Sequence, residues 1–287
     1  MTSLRAAGGR MTSVLEGQRI GFVGGGAMAE ALVSGLIAAG VSEVRLCAAD
    51  PVPGRREHLA QRFGILTSGE NAEVVSASDL VVVAVKPGLV APVLEALRDE
   101  LNPDVDGPLW VSIAAGVPLR RLEAALPRGA RVVRAMPNTP ALVRAGATAL
   151  CAGPGCTPRD RAHARALFET VGSVWEAPTE DLLDAVTGLS GSGPAYVFVF
   201  LEALAEAGVR VGLPPEAAST LACQTVLGAA RLALETGRAP AELRAQVTSP
   251  GGTTVAGLER LEAGGLRAAV YEAVAAATAR SRELGAD

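Results

Sequence analysis

The chain has 287 residues, a net charge of −4 and 49% hydrophobic residues. At roughly 150 residues per domain this length predicts two domains or one large one, and the hydrophobic share excludes wholesale disorder. The mild acidity leaves no electrostatic footprint for nucleic acid. A mean hydropathy of +0.31 raises the question of a membrane. The longest charge-free apolar stretch, residues 185–201, contains Gly188, Gly191, Gly193 and Pro194, and so predicts a poor spanning helix. Cys47, Cys151, Cys156 and Cys223 include no C-x-x-C pair and are expected as reduced thiols of a cytoplasmic protein. His58 and His163 both fall in charged stretches that predict exposed helix. Neither has company for a metal site or a Ser-His-Asp triad, so no metal is expected.

Residues 1–18 lack an apolar segment of about 7–15 residues and are expected as a disordered extension, not a secretory signal. Met11-Thr12-Ser13 repeats Met1-Thr2-Ser3, which makes Met11 a second candidate start. From Arg19 onward, short β-branched runs alternate with helical ones. Residues 20–23 predict a buried strand, 27–39 a helix, 44–48 a strand, 55–63 a charged helix, 80–85 an apolar strand and 89–97 a helix. Residues 110–114, 131–135, 148–152 and 173–175 continue the strand series. Fully apolar strands separated by helices predict a parallel sheet covered on both faces. After Glu176 no strand pattern returns. Residues 179–189, 194–211, 214–236, 240–247, 253–262 and 266–284 read as helices, four of them with proline at or near the start. The expected fold class is an α/β Rossmann-type dinucleotide-binding domain over 19–177, followed by an all-α domain over 178–287.

Gly24-Gly25-Gly26-Ala27-Met28-Ala29 fits G-x-G-x-x-A directly after the first strand. In that motif Gly24 permits the tight turn, Gly26 lets the backbone approach a pyrophosphate, and Ala29 lets helix and strand pack closely. The helix N-terminus offers unpaired N–H groups to the phosphates. Asp50 ends the second strand, where an acidic residue would bond the ribose 2′-OH of NADH. Arg55 and Arg56 follow, and could instead hold the 2′-phosphate of NADPH; the choice stays open. Ala84-Val85-Lys86-Pro87 ends an apolar strand and should face the cofactor. Lys86, the only lysine among 26 basic residues, is a candidate compact cation on the nicotinamide side. The loops at 112–116 and 136–140 also follow strands and could line a hydride-transfer cleft. In the helical part, 189–195 and 248–254 read as hydroxyl-rich glycine loops at helix starts, suited to a carboxylate.

Together these stretches resemble the pyrroline-5-carboxylate reductase family. The resemblance rests on IGFVGGGAMAEA at 20–31, VAVKP at 83–87, RAMPNTP at 134–140, AVTGLSGSGPAY at 185–196 and, most specifically, SPGGTT at 249–254. It runs from about Arg19 to Leu284. It implies reduction of L-1-pyrroline-5-carboxylate to L-proline by NADPH or NADH, the final step of proline biosynthesis. It also implies that the helical domain is a dimerisation domain, with further assembly into a decamer. By position, Gly24, Gly25, Gly26, Ala27, Met28, Asn71, Ala84, Val85, Lys86, Pro87, Ile113, Ala114 and Ala115 should touch cofactor. Ser249, Gly251, Gly252 and Thr253 should hold the substrate carboxylate, and Thr254 should place its hydroxyl beside the ring nitrogen. Asp50 departs from the small hydroxyl residue common in NADPH-preferring relatives, and a carboxylate there would repel a 2′-phosphate.

The chemistry matches the composition, because a protonated cyclic imine is already electrophilic and needs orientation more than covalent catalysis. Thr254 is expected to orient by hydrogen bonding, an unperturbed hydroxyl being a poor general acid. Two other enzyme classes share features of this plan. Hydroxyacid dehydrogenases place a catalytic lysine in the second domain, which here contains none. Imine reductases acting on other rings share the plan. A nucleotide sensor that binds without turnover is the alternative from a different class.

Overall fold

The computed structural model describes residues 14–100 and 107–286. The expected extension at 1–18 lies outside the described residues up to residue 13. Its last part does not stay outside the fold, since Leu15 is buried in the core.

Eight strands form one sheet: β1 Ile20–Val23, β2 Leu46–Ala49, β3 Leu66–Ser68, β4 Leu80–Val83, β5 Leu109–Ser112, β6 Arg131–Met136, β7 Gly146–Ala152 and β8 Gly172–Glu176. Their spatial order is β3-β2-β1-β4-β5-β6-β7-β8. The chain therefore grows outward one way from β1 through β3, then returns to β4 and grows the other way. That reversal between β1 and β4 is the topological switch point at which open α/β sheets bind ligands.

Burial explains the apolar strands. Leu80 and Val82 point to one face, where they pack with Leu32 and Leu36 of helix α1 (Ala27–Ala38), Leu59 of α2 (Pro53–Phe63), and Leu167 and Phe168 of a later helix, Pro158–Glu169. Val81 and Val83 point to the other face. There they meet Val75 of α3 (Asn71–Ser76), Leu94 of α4 (Val90–Glu100) and Leu122 of α5 (Leu119–Ala125). Each such aliphatic side chain stabilises the sheet by roughly 1.5–3 kcal/mol relative to exposure.

Two expectations need correction here. The sheet is not wholly parallel, because β7 runs antiparallel to β6. Residues 137–145 between them hold only a short 3₁₀ turn, Thr139–Val143, whereas a parallel return takes a crossover of about a dozen or more residues. The second correction concerns His163. It lies on α6 (Pro158–Glu169) but is only 7% exposed, because the helix turns His163, Ala164, Leu167 and Phe168 inward. The capping box Thr157–Asp160 starts this helix.

The described residues divide into two compact units, one running through Gly191 and resuming at Ala277, the other Ser192–Ala276. A short helix α7 (Leu182–Val186) ends the first stretch, followed by a π turn at Thr187–Gly191. In the second unit α8 (Gly193–Arg210) packs on α9 (Pro215–Thr236). The two approach through small residues: a Cβ on Gly208 would lie 3.1 Å from the Ala218 Cβ. Helices α10 (Pro240–Gln246), α11 (Thr253–Ala263) and α12 (Leu266–Ala286) complete the chain. Ala218 and Ala222 are buried, whereas Phe198, Val199, Leu227 and Leu234 are exposed. The helical stretches Leu182–Arg210 and Pro215–Thr236 are long and apolar enough to cross a membrane by length and composition.

Burial pushes the His163 pKa down, with Arg159 and Arg131 adding to the shift and Asp160 and a Val14 backbone bond opposing it. The unfolded chain, with a pKa of about 6.5, therefore takes up a proton before the folded one does. Stability from this group is present above that pH and lost as pH falls below it. Thermal melts across a pH series are expected to show a melting temperature that falls on acidification, and His163→Gln should flatten that slope. Identical slopes for both proteins would remove His163 as the cause.

Candidate active site

The head of the sheet is built around Gly24. Its N–H donates to the Ala49 carbonyl at 2.8 Å, its φ is +102°, and a Cβ there would stand 2.8 Å from the Ala84 carbonyl oxygen. Only glycine fits such a turn. Gly26 has the opposite surroundings, with nothing within 4 Å of its would-be Cβ. It caps α1 in an extended conformation, so the first N–H groups of that helix, which have no intrahelical partners, adjoin open space. Ala29 behind them is fully buried. Glu30, the acid in this first turn, is paired with Arg62 and with His58 at 3.4 Å.

Asp50 follows β2 and is 4% exposed. Its Oδ2 accepts from the Gly25 N–H at 2.9 Å and its Oδ1 from the Val52 N–H at 2.9 Å. Arg55 Nη1 lies 3.5 Å from Oδ2 on a side chain that is 57% exposed. Arg56 Nη1 donates to the Asp50 backbone carbonyl at 2.7 Å. Asp50 thus bonds the glycine turn through one oxygen and the start of the next loop through the other.

The neighbouring strands deliver their loops to the same edge of the sheet. Val23 pairs with Val83, and Val83 with Ser112. Ala84, Val85, Lys86 and Pro87 therefore emerge beside Gly24, with Ile113, Ala114 and Ala115 next to them. The Ala84 N–H donates to the Val23 carbonyl at 2.8 Å and the Ile113 N–H to the Val83 carbonyl at 3.2 Å. Lys86 is exposed ahead of a 3₁₀ turn at Pro87–Leu89. Asn71, half-buried, opens α3 after β3 at this edge. Gly24, Gly25, Gly26, Ala27, Met28 and Asp50 complete the group within this unit. Among the described residues no cluster of His, Cys, Asp or Glu could hold a metal ion. The cysteines are free, and burial pushes the Cys47, Cys151 and Cys156 thiols up, away from nucleophilic use.

Two features at this level were absent from the sequence reading. The stretch 189–195 is no open loop. The π turn occupies it as far as Gly191, α8 takes over from Gly193, and the Ser190 hydroxyl donates back to the Val186 carbonyl at 3.2 Å. Asn138, expected as a cleft amide, instead accepts from the Ala147 N–H at 2.8 Å and donates to the Ser190 carbonyl at 2.9 Å. Such π turns often mark functional segments. The second feature is Arg134, nearly buried in β6. It pairs with Glu180 at 2.8 Å and lies 3.8 Å from Asp184, which accepts from the Ser281 hydroxyl at 2.6 Å. An arginine inside an apolar strand was the available signal.

The remaining predicted site residues belong to the helical unit. Ser249 and Thr253 are exposed and Thr254 is half-buried. Gly251 has φ +72°, and the Gly252 N–H donates to the Ser249 carbonyl at 3.0 Å. Gly252 caps α11 in an extended conformation, so Ser249, Gly251, Gly252, Thr253 and Thr254 form one tight turn onto a helix N-terminus.

A family model described as pyrroline-5-carboxylate reductase dimerisation matches residues 180–284. A second, described as NADP oxidoreductase coenzyme F420-dependent, matches residues 19–116. The chain is 47% identical to the pyrroline-5-carboxylate reductase of Methanosarcina acetivorans, covering 94% of this chain and 99% of that protein. It is 44% identical to that of Arabidopsis thaliana, over 94% of this chain and 96% of the relative. Among solved structures, the reductase of Coxiella burnetii superposes with a TM-score of 0.87 at 42% identity, covering 93% of this chain and 98% of that one. The Plasmodium falciparum enzyme with NADP bound superposes at 0.84 and 31% identity, covering 94% and 99%.

Gly24→Ala forces a methyl group into the Ala84 carbonyl in a left-handed turn. It is expected to weaken dinucleotide binding by about tenfold or more and lower the melting temperature, since strain of this kind costs on the order of 1–3 kcal/mol. Fluorescence titration and thermal melts check this, and unchanged values for both would show that the turn tolerates a side chain.

Proposed function

This chain belongs to the pyrroline-5-carboxylate reductase family, and we propose that its glycine turn and its Ser249–Thr254 turn divide the reaction between cofactor and substrate. The enzyme reduces L-1-pyrroline-5-carboxylate to L-proline with NAD(P)H, the last step of proline biosynthesis. The observation that carries the division is the contrast within the glycine turn, sealed at Gly24 and open at Gly26 beside the α1 N-terminus. That is the form a pyrophosphate needs.

In this reading Gly26, Ala27 and Met28 hold the pyrophosphate through backbone N–H groups, and Gly24 and Gly25, whose own N–H groups bond Ala49 and Asp50, shape the turn that presents them. Asn71 and the exposed Arg55 meet the adenosine side, where a guanidinium suits a 2′-phosphate. Ala84, Val85, Pro87, Ile113, Ala114 and Ala115 form a largely apolar wall for the nicotinamide, and Lys86 sets one positive charge beside it. Ser249, Gly251, Gly252 and Thr253 bind the substrate carboxylate by the same helix-start logic. Thr254 accepts or donates at the ring nitrogen and so fixes which imine face is presented. The nicotinamide, when bound, supplies the hydride; the imine carbon accepts it, the C=N bond becomes C–N, and the nitrogen's proton arrives from substrate or water. The residues contribute orientation.

The chain forms a homodimer through its helical domain. The exposed apolar residues of α8 and α9 (Phe198, Val199, Leu227, Leu234) supply the surface such an interface buries. We read the two long apolar helices as interface rather than membrane spans for that reason, and extend the assembly to a decamer of five such dimers in the cytoplasm. Light scattering checks the assembly.

Consumption of NADPH and NADH with pyrroline-5-carboxylate is the direct assay. Binding of a dinucleotide without turnover would replace the enzyme by a nucleotide sensor. Thr254→Ala is expected to lower kcat/KM by about ten- to a hundredfold, one charge-assisted hydrogen bond being worth roughly 1.5–3 kcal/mol. An unchanged kcat/KM would take Thr254 out of the mechanism.

A further inference from the structure

We propose that Asp50 is a positioning residue for the pyrophosphate turn, and that it does not select between NADH and NADPH. The acid that ends the second strand of a dinucleotide-binding sheet ordinarily reads the adenosine ribose, and this chain has its acid at that place. Its surroundings assign it other work. Both carboxylate oxygens accept backbone N–H groups, Gly25 on one side and Val52 on the other, each at 2.9 Å. The glycine turn also packs directly on it: a Cβ at Gly25 would lie 3.4 Å from Asp50 Cβ and from Oδ2. Arg56 pins the Asp50 carbonyl from behind, so backbone and side chain are held at once.

Gly25 sits between the sealed Gly24 and the open Gly26. A bond to its N–H therefore sets the direction in which the Gly26 N–H and the first turn of α1 face. Rotating the carboxylate outward to a ribose would leave the Gly25 N–H without its acceptor in a buried place, which is the costly way to lose a hydrogen bond. The charge left to repel a 2′-phosphate is small in effect. It is shared with two N–H donors, and the Arg55 guanidinium stands 3.5 Å from Oδ2 on the solvent side. Asp50 consequently acts on the part common to both dinucleotides.

This inference rests on the cofactor reading above, and the test separates the two. Dissociation constants for NADPH and NADH, with kcat and both KM values, are measured for the unaltered enzyme, Asp50→Asn and Asp50→Ala. Asp50→Ala is expected to raise both dissociation constants by the same factor, about tenfold, as loss of a charge-assisted bond predicts, with kcat at saturating cofactor held within about twofold. The KM for pyrroline-5-carboxylate should stay unchanged, which a general loss of folding would not produce. Asp50→Asn keeps one acceptor oxygen and should recover part of the loss. A rise in the NADPH to NADH preference of about fivefold or more in either variant would make Asp50 a ribose reader and overturn the proposal. Unchanged binding of both cofactors would overturn it equally. Should both variants misfold, amide exchange at Gly25 in the unaltered, cofactor-free enzyme decides: protection supports the bond to Asp50, and exchange at the rate of a free amide refutes it. Failure of the unaltered enzyme to bind either dinucleotide would overturn the cofactor reading itself.

Discussion

The distance between the would-be Cβ of Gly24 and the Ala84 carbonyl oxygen, 2.8 Å, is too short for any side chain, and the geometry of the sheet's upper edge follows from it. β1 can reverse into α1 only by passing this close to the end of β4. Because it does, the loops after β1, β4 and β5 come out side by side in register. A bulkier residue would push the first helix away from the strand ends and separate the backbone donors from the loop that carries Lys86. The site is thus a property of backbone packing more than of reactive side chains. That suits a reaction whose substrate is electrophilic once protonated and whose catalyst has chiefly to hold two molecules in place.

Around this point the protein uses charge sparingly and mostly in paired form. Arg134, Glu180, Asp184 and Ser281 form one connected network in the dinucleotide unit, and the Glu180 carboxylate also accepts from the Leu119 N–H at 2.7 Å at the start of α5. A nearly buried arginine without such partners would cost several kcal/mol. With them it fixes β6, the approach to α7 and the last turns of α12 relative to one another. Gly116 makes the same connection sterically, a Cβ there lying 3.0 Å from the Leu284 Cβ. The loop of Ile113 to Ala115 is therefore backed by the far end of the chain.

Much of this was legible from residue types. The glycine turn announces itself because glycine at those spacings has few other uses directly after an apolar strand. The helical second half was legible from proline at helix starts and the absence of alternating patterns. Other features were hidden for physical reasons. An apolar strand buried on both faces carries no mark of its direction, so the reversal of β7 depends on the short link before it and not on its own residues. The three-residue edge strand β3, with an exposed leucine at its start, falls below any periodic signal. His163 was masked by Arg159, Asp160 and Arg161, although the inward set His163, Ala164, Leu167 and Phe168 has helical spacing. An aspartate after β2 suits a ribose or a neighbouring N–H equally well, so its bond to the Gly25 N–H could not be read from its place in the sequence.

The last helix has a consequence for how the protein comes into being. α12 starts in the helical unit, but from Ala277 onward it belongs with the dinucleotide unit, where Ser281 is buried. The dinucleotide unit is therefore discontinuous in sequence, with its final piece following the whole helical unit. On a ribosome, domains usually fold as they emerge, the N-terminal one first. Here the first unit emerges early but lacks its closing segment until the helical unit has been made and Ala277 onward follows. Its completion therefore waits on the synthesis of the helical unit, so a nascent chain that stalls before Ala277 carries an unfinished nucleotide fold.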